Sequence, residues 1–579
     1  MPPPIHSWLP ALDALVTALL TPLACAILIS GLDDLFVALA SLWASRQQPP
    51  CPAPTPEKRI AIFVPCWHEE PVIAAMLEHN LAAIHYDRYD FFIGAYPNDE
   101  PTLDAIRAVK ARFPRVHLAV CPHDGPTSKP DCLNWIYQRM LVFEDLHSVS
   151  FEIVVIHDAE DLIHPESLAT INHYSGEYGM IQIPVLPLRT PFRNLTHGTY
   201  MDDFAEWQIK DMPARAFLGS FVPSSGVGTG YTRAALERLA EAGHNAIFDP
   251  GSLTEDYEIG LRLYRLGYPQ LFAALDQGRA PVATREYFPR DMRGAIRQRS
   301  RWISGIALQT WERHGWSGSP AQIYWFWRDR KGLIGNPLSL LTNVVFLYGL
   351  VRHPAIPHPM LLSATLGLMI LQIAIRGICS VRIYGLVFAL GLPLRIVWAN
   401  AINTAATVRA IHGYFRARLR HESIGWLKTE HAYPTRGALA GHKRRLGEIL
   451  ACAAWITERE LDFALTSQPA GTRIGEHLIG LGKITEDDLY AALSLQQSLP
   501  LGKLDPRQIS PIIARSLPRD IVRTWKVLPY RIASGSMFLA TPELPTDELN
   551  RTLRGFTQLD LRFHLVTPAN FDQLTQMLL

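Results

Sequence analysis

Clusters of acidic residues recur in this 579-residue chain directly after apolar runs, where a carboxylate at the end of a strand can reach a ligand. His157-Asp158-Ala159-Glu160-Asp161 follows the run Phe151 to Ile156. Acids two apart at a strand end can both project into a crevice and hold a hard divalent cation, which neutralises a diphosphate leaving group. A solvated acidic turn is the alternative. Thr254-Glu255-Asp256 opens a helical pattern, and Asp256 can take a proton from an incoming hydroxyl. Gln298-Arg299-Ser300-Arg301-Trp302 begins 42 residues after Asp256, and its Arg and Trp can brace a phosphate and a sugar face. Three further features accompany these. Val64-Pro65-Cys66-Trp67-His68-Glu69-Glu70 carries acids that otherwise read as first-turn complements to a helix dipole. Tyr96-Pro97-Asn98-Asp99 offers a carboxylate to a base or ribose. Lys129, with Asn134 beyond it, offers a phosphate contact and its support, against the reading of a surface lysine.

Strands must deliver these residues. Ile60 to Pro65, Pro71 to Ala83, Phe91 to Tyr96 and Thr102 to Phe113 alternate between apolar runs and helical patterns, which implies a parallel sheet with covered faces. In such sheets the crevice lies at the carboxyl ends of the strands, where the acids fall. The 55 basic and 54 acidic residues leave a net charge of +1, so no global field draws a nucleic acid polymer. Seven scattered cysteines without metal-ligand spacing read as reduced thiols.

Two regions read as membrane. Trp8 to Ser30 is almost uncharged apart from Asp13, and the first basic residue is Arg46, which places the N-terminus outside. Met1 to Ser7 lacks the Lys or Arg of a cleaved signal. Prolines 49, 50, 52, 54 and 56 then form a stiff linker. Tyr324 to Lys331 forms an aromatic and basic belt ahead of Gly335 to Val351, Pro359 to Ile375 and Tyr384 to Trp398. The last is interrupted by Pro393 and Arg395, so two crossings and a broken or re-entrant third segment keep the basic tail around Arg409 to Lys428 inside.

An internal repeat follows. Arg445 to Gln468 and Arg473 to Gln496 align without a gap at an offset of 28 and share eleven of 24 positions. Thr457 with Glu460 and Thr485 with Asp488 read as helix starts. Ser536 to Ala540 and Leu561 to Val566 are strands of a small α/β cap.

In this order and spacing the acidic motifs resemble the processive members of glycosyltransferase family 2, over roughly Arg59 to Trp311. The resemblance implies a GT-A (Rossmann-like) fold and a nucleotide-sugar donor held by Pro65, Glu69, Asp99, Lys129 and Asp158. It further implies that Asp99 lies near the nucleobase and Asp158 on Mg²⁺ or Mn²⁺, and that Asp256 is the base of an inverting displacement, with Glu255, Gln298, Arg301 and Trp302 beside it. The metal motif reads Asp-Ala-Glu-Asp, which leaves Glu160 and Asp161 both open as second ligand. Gly228-Thr229-Gly230 looks like the family's acceptor-side loop.

The repeat resembles the cyclic di-GMP-binding N-terminal domain of secretion and pilus ATPases (MshEN-like). Carried over, Arg445, Leu446, Gly447, Leu450, Leu461, Leu465 and Gln468 in one copy, and Arg473, Gly475, Leu478, Leu489, Leu493 and Gln496 in the other, grip the dinucleotide, the glycines letting backbone approach it. Ala454 stands where the second copy has Gly482. The absence of a Gly-x-x-x-x-Gly-Lys-Ser/Thr loop excludes a secretion ATPase.

The whole arrangement is similar to the bacteriophage-adsorption protein B family of inner-membrane glycosyltransferases. It implies a multi-domain membrane protein: an anchor and linker (1–50), a catalytic domain (51–320), interfacial and transmembrane helices (321–425) and a sensor (436–579). It also implies that the catalytic and sensor domains are cytoplasmic and that the product is an exopolysaccharide, with donor, glycan acceptor, cyclic di-GMP, lipid bilayer and an outer-membrane or periplasmic export protein as expected partners. The rival reading is a non-catalytic receptor or scaffold that senses cyclic di-GMP; it predicts decay of the acids, all of which persist.

Overall fold

In the computed structural model, which describes residues 9–46, 55–243, 246–273, 282–353, 355–420, 445–452, 455–469, 471–497, 499–533 and 535–579, the apolar run Ile60–Pro65 (β1) forms an interior strand of a sheet. Ile60 to Val64 are fully buried, as a strand covered on both faces must be. β1 pairs in parallel with Tyr89–Ala95 (β2) and Ile153–Ile156 (β4), and β2 with Val116–Val120 (β3). Met180–Gln182 (β5), Thr229–Thr232 (β7) and Gln270–Phe272 (β8) complete seven strands in the order β3-β2-β1-β4-β7-β5-β8. Val185–Pro187 (β6) and Thr284–Glu286 (β9) form a separate parallel pair.

One strand corrects the expected parallel sheet. β7 runs antiparallel to both β4 and β5, so the sheet is mixed. Thr229 and Gly230, expected in a loop, lie in β7 because the strand crosses at close quarters: a Cβ on Gly230 would lie 2.3 Å from Ile171 Cγ2. The reversal also moves the residues before β7 to the edge of the sheet where β1, β2 and β4 end.

Three helices are long and apolar enough to cross a membrane: Leu9–Ala44, Pro320–Arg352 and Pro359–Tyr384. The first is longer than Trp8 to Ser30 suggests, because its acids are answered by another helix. Asp13 meets Tyr348 (2.5 Å) and Arg352 (2.9 Å). Asp33 meets Tyr324 (2.6 Å), Lys331 (2.7 Å) and Arg328, and Asp34 meets Arg328 at 3.0 Å. The stretch of helix between Asp13 and Asp33 is about 30 Å long, the thickness of a bilayer's hydrocarbon core. The third candidate segment is broken, as expected: Leu386–Ala389 and Leu392–Arg420 are separate helices, and Arg395 is buried against Asp202 at 2.6 Å.

A second compact unit comprises residues 434–579 with 74–87 and 108–115. Its repeat forms the helices Leu446–Cys452, Glu458–Ser467, Ile474–Gly480 and Glu486–Gln497. Both expected helix starts are present: the Thr457 hydroxyl accepts the Glu460 amide N–H while the Glu460 carboxylate accepts the Thr457 N–H, and Thr485 and Asp488 repeat the exchange. Both glycines of the repeat are closely packed. A Cβ on Gly447 would lie 2.5 Å from Leu461 Cδ1, and one on Gly475 2.4 Å from Leu489 Cδ1. In each copy the glycine therefore admits the leucine 14 residues on, and the space before it holds a side chain of the repeat itself. Leu450 and Leu478 are buried and Leu446 packs towards Gly475, whereas Leu493 is partly covered and Leu465 is exposed. Arg445 and Arg473 are exposed, and Gln468 and Gln496 are partly covered. Leu528–Ala533 (β10), Ser536–Thr541 (β11) and Asp560–Leu565 (β12) form the cap's sheet over a core that includes Leu539, Leu553 and Leu574. The expected boundaries at 50 and 425–436, the linker's first four prolines and Ala454 lie outside the described residues.

Gly475→Ala should overpack the second repeat by about 1–3 kcal/mol. It should raise protease sensitivity of the C-terminal segment in the full chain, and Leu489→Ala added to it should recover part of the loss.

Candidate active site

The parallel strands β1, β2 and β4 end at one edge, and their following residues meet there. Pro65 closes β1 and lines a cavity together with Glu69, whose own N–H donates to Thr102 Oγ1 at 3.0 Å. Asp158 and Glu160, after β4, form another part of the wall. Lys129 enters at the start of the helix Lys129–His147, capped by the Ser128 hydroxyl. Gly226 comes from the turn before β7, and Glu255 and Asp256 from the first turn of the helix Glu255–Arg265. Gln298, Arg301 and Trp302 complete the wall from the helix Met292–Trp302.

Lys129 holds the acids together. Its Nζ lies 2.5 Å from Asp158 Oδ1 and 3.9 Å from Glu255 Oε1. Burial works against its ammonium, yet these carboxylates overcome the penalty and raise its pKa above the ordinary lysine value. Burial and the Asp256 charge push the Glu255 carboxyl up to about 7, and burial likewise raises Asp256. Asp256 Oδ1 accepts the Tyr257 N–H at 2.7 Å, while a Cβ on Gly226 would lie 2.9 Å from Oδ2. Gly226 has φ +79°, so both its conformation and the closeness of Asp256 require glycine.

The structure brings ten of the expected residues into one cavity and places others behind it. Asp161 is fully buried outside the lining: His157 Nδ1 lies 2.7 Å from its Oδ2, which also accepts the Asp158 N–H at 3.1 Å. Burial lowers His157 to about 3, so the imidazole is neutral and the pair fixes the loop. Of the two alternatives for a second metal ligand, Glu160 is the one on the cavity wall. Asp99 is also buried off the lining, accepting the His68 N–H at 2.6 Å, where His68 has φ 55°. Asn134 does not support Lys129: its Oδ1 accepts the Ile247 and Phe248 amides, each at 3.0 Å, and its Nδ2 donates to Phe248 O. Arg299 points away from the cavity to Asp203 (2.8 Å) and Asn403 (2.7 Å).

Glu286 and Phe288 were not singled out in the sequence, and both line the cavity. Phe288 stacks on Tyr200 with centroids 4.9 Å apart and meets Trp302 edge-on at 6.4 Å. β9, which carries Glu286, bridges to Leu162 through Arg285 and so is pinned to the loop that holds Asp158. The only signal in the sequence was the proximity of Glu286 and Phe288 to the Gln298 motif.

Among the described residues no group of three or more His, Cys, Asp or Glu side chains converges as a metal cage. Asp158 and Glu160 on the wall still suit Mg²⁺ or Mn²⁺, which takes one or two protein carboxylates and fills its shell with phosphate oxygens and water.

Fold and site together define a membrane glycosyltransferase. Residues 56–305 match the family described as glycosyltransferase like family 2, and residues 497–579 match the MshEN domain. The MshEN match begins just after Gln496, so the repeat lies ahead of it. The chain is 34% identical over 570 residues to bacteriophage adsorption protein B of Escherichia coli strain K12, covering 90% of this chain and 76% of that protein. The bacteriophage N4 adsorption protein B of Escherichia coli O157:H7 matches equally. This chain belongs to the bacteriophage adsorption protein B family. Among solved structures, a mannosyltransferase of Pyrobaculum calidifontis in complex with GDP-Man and Mn²⁺ covers 67% of this chain and 98% of its own, at 18% identity and a TM-score of 0.42. MshE with cyclic di-GMP covers 23% and 99%, at 24% identity and a TM-score of 0.21.

Because the folded Glu255 carboxyl titrates near 7, above its unfolded value, its stabilising contribution is complete at low pH and is lost as pH rises through about 7. The unfolding midpoint of the wild type should therefore drop more between pH 5.5 and pH 8 than that of Glu255→Gln. Thermal unfolding at the two pH values checks this.

Proposed function

We propose that this enzyme transfers a sugar, with inversion, from a nucleotide-diphosphate donor of the UDP-sugar type to a growing exopolysaccharide at the cytoplasmic face of the bacterial inner membrane. The observation that carries this reading is the single cavity in which Asp158, Lys129, Asp256, Arg301 and Trp302 meet from four separate segments of the chain. Asp158 and Glu160 would hold Mg²⁺ or Mn²⁺, which when bound supplies positive charge to the leaving diphosphate. Lys129 and Arg301 bind the diphosphate oxygens, and Asp99 braces the loop nearest the nucleobase through its bond to His68. Asp256 takes the proton of the acceptor hydroxyl as that oxygen attacks the anomeric carbon from the face opposite the leaving group. Trp302, backed by Phe288, offers an aromatic face to a sugar ring.

An inner-membrane location with the N-terminus outside is supported by the three apolar helices and by the basic residues Arg409, Arg416, Arg418 and Arg420, which then fall on the cytoplasmic side. Cyclic di-GMP binding by the repeat is supported by the exposed Arg445 and Arg473, held at equivalent positions of two equivalent helix pairs. The ligand shifts the unit between arrangements only as far as it binds one better. An export partner in the periplasm or outer membrane would receive the product.

Membranes containing the full chain should incorporate sugar from one donor of a panel in the presence of Mg²⁺ or Mn²⁺. Cyclic di-GMP should change the rate, and Asp256→Asn should lower it about a thousandfold. Silence with every donor alongside measurable dinucleotide binding would overturn the enzymatic reading in favour of a receptor or scaffold.

A further inference from the structure

The residues on both sides of Asp256 are held by the chain segment that leads into the membrane. On the N-terminal side, the helix Met292–Trp302 changes to a π-helical stretch, Ile303–Gln309, a geometry that recurs at functional sites. It turns Gln309 onto the loop before Thr254: Oε1 accepts the Leu253 N–H at 2.9 Å and Nε2 donates to Gly251 O at 2.8 Å. Gly305 of the same stretch lies so close that a Cβ would meet Thr254 Oγ1 at 2.5 Å. On the C-terminal side, Tyr257 follows Asp256 directly, and its hydroxyl donates to Asp329 Oδ2 at 2.5 Å. Asp329 belongs to the helix Pro320–Arg352, one of the three membrane candidates.

Asp329 is itself fixed. Arg215, fully buried, donates to its two oxygens at 3.0 and 3.1 Å. The Arg215 Nε donates to Phe221 O at 2.9 Å, and its guanidinium lies 4.3 Å from the Phe221 ring centre and 5.2 Å from that of Trp325. A bidentate pair whose arginine is fully buried has one geometry and transmits displacement instead of absorbing it.

We propose that Gln309, Tyr257 and Asp329 are positioning residues for the Asp256 carboxylate, so that the membrane helix Pro320–Arg352 sets the attitude of the base through Asp329. The inference rests on Asp256 as the base. None of the three lines the cavity, so none touches substrate there.

The test uses Tyr257→Phe, which deletes one oxygen and leaves the Arg215 pair whole, and Gln309→Met, which keeps the side-chain length. Both are measured in full-length protein in vesicles, with Asp256→Asn in parallel. Each should lower kcat about tenfold, since small misplacements of a reacting group are costly. KM for the donor, nucleotide affinity and the unfolding midpoint should stay near wild type. Wild-type kcat in both variants beside an inactive Asp256→Asn would overturn the positioning role and leave the base intact. A raised donor KM with unchanged kcat, or lost nucleotide binding, would also overturn it. An active Asp256→Asn would remove the base assignment and this inference with it.

Discussion

Burial works against charge on Glu255 and Asp256, which share one cavity with Asp158 and Glu160, and the Asp256 charge adds to it at Glu255, so the pair needs compensation. Lys129 supplies it, through contacts of 2.5 Å to Asp158 and 3.9 Å to Glu255. The rest of the architecture follows from bringing that cation and those acids together. β1 and β4 run parallel so that their following loops share an edge, and β7 runs the other way so that Gly226 arrives there from the opposite direction. Glycine at 226 lets Asp256 approach the backbone closely. The protein thus holds ready a cluster of negative charge whose balance a cation and a diphosphate would alter together.

The membrane helices take part in this arrangement as well as anchoring it. Their acids are matched at two levels, Asp13 near one end of the N-terminal helix and Asp33 with Asp34 near the other. The inner cluster continues through Arg328 to Asp211 at 3.1 Å, and Lys210 beside it pairs with Glu206 at 2.6 Å. Glu206 in turn meets Arg376 of the helix Pro359–Tyr384 at 2.5 Å. A continuous ionic seam therefore joins the catalytic fold to all three of the spanning candidates. Breaking one partner of such a buried pair leaves the other uncompensated, which is why the seam holds its geometry.

Much of this was legible from residue order. β1 occupies the expected residues because five consecutive apolar side chains have to be covered on both faces. Both helix starts in the repeat follow from a hydroxyl placed three residues before an acid. β3 was missed because it is an edge strand whose His117, Leu118 and Val120 stay partly exposed, leaving no continuous apolar run. β7 was read as a loop because Gly228 and Gly230 are turn residues locally, and only the packing of Ile171 explains a glycine inside a strand. The length of the first helix was hidden because the partners of Asp33 and Asp34 lie some 300 residues away. At the site, residue type identified the groups but not their facing. Asp161 and Asn134 have the chemistry of a ligand and a support, and burial turns both to bracing loops.

In the proposed mechanism Asp158 joins cation and nucleotide diphosphate into one bound unit. The most direct measurement is calorimetric titration of UDP into the purified full-length protein in nanodiscs, with Mn²⁺ and with chelator, for the wild type and Asp158→Asn. Binding in the wild type should fall at least tenfold when Mn²⁺ is removed, and binding in the variant should be weak and metal-insensitive. Wild-type affinity that is indifferent to chelator, or Asp158→Asn binding that matches the wild type, would contradict it.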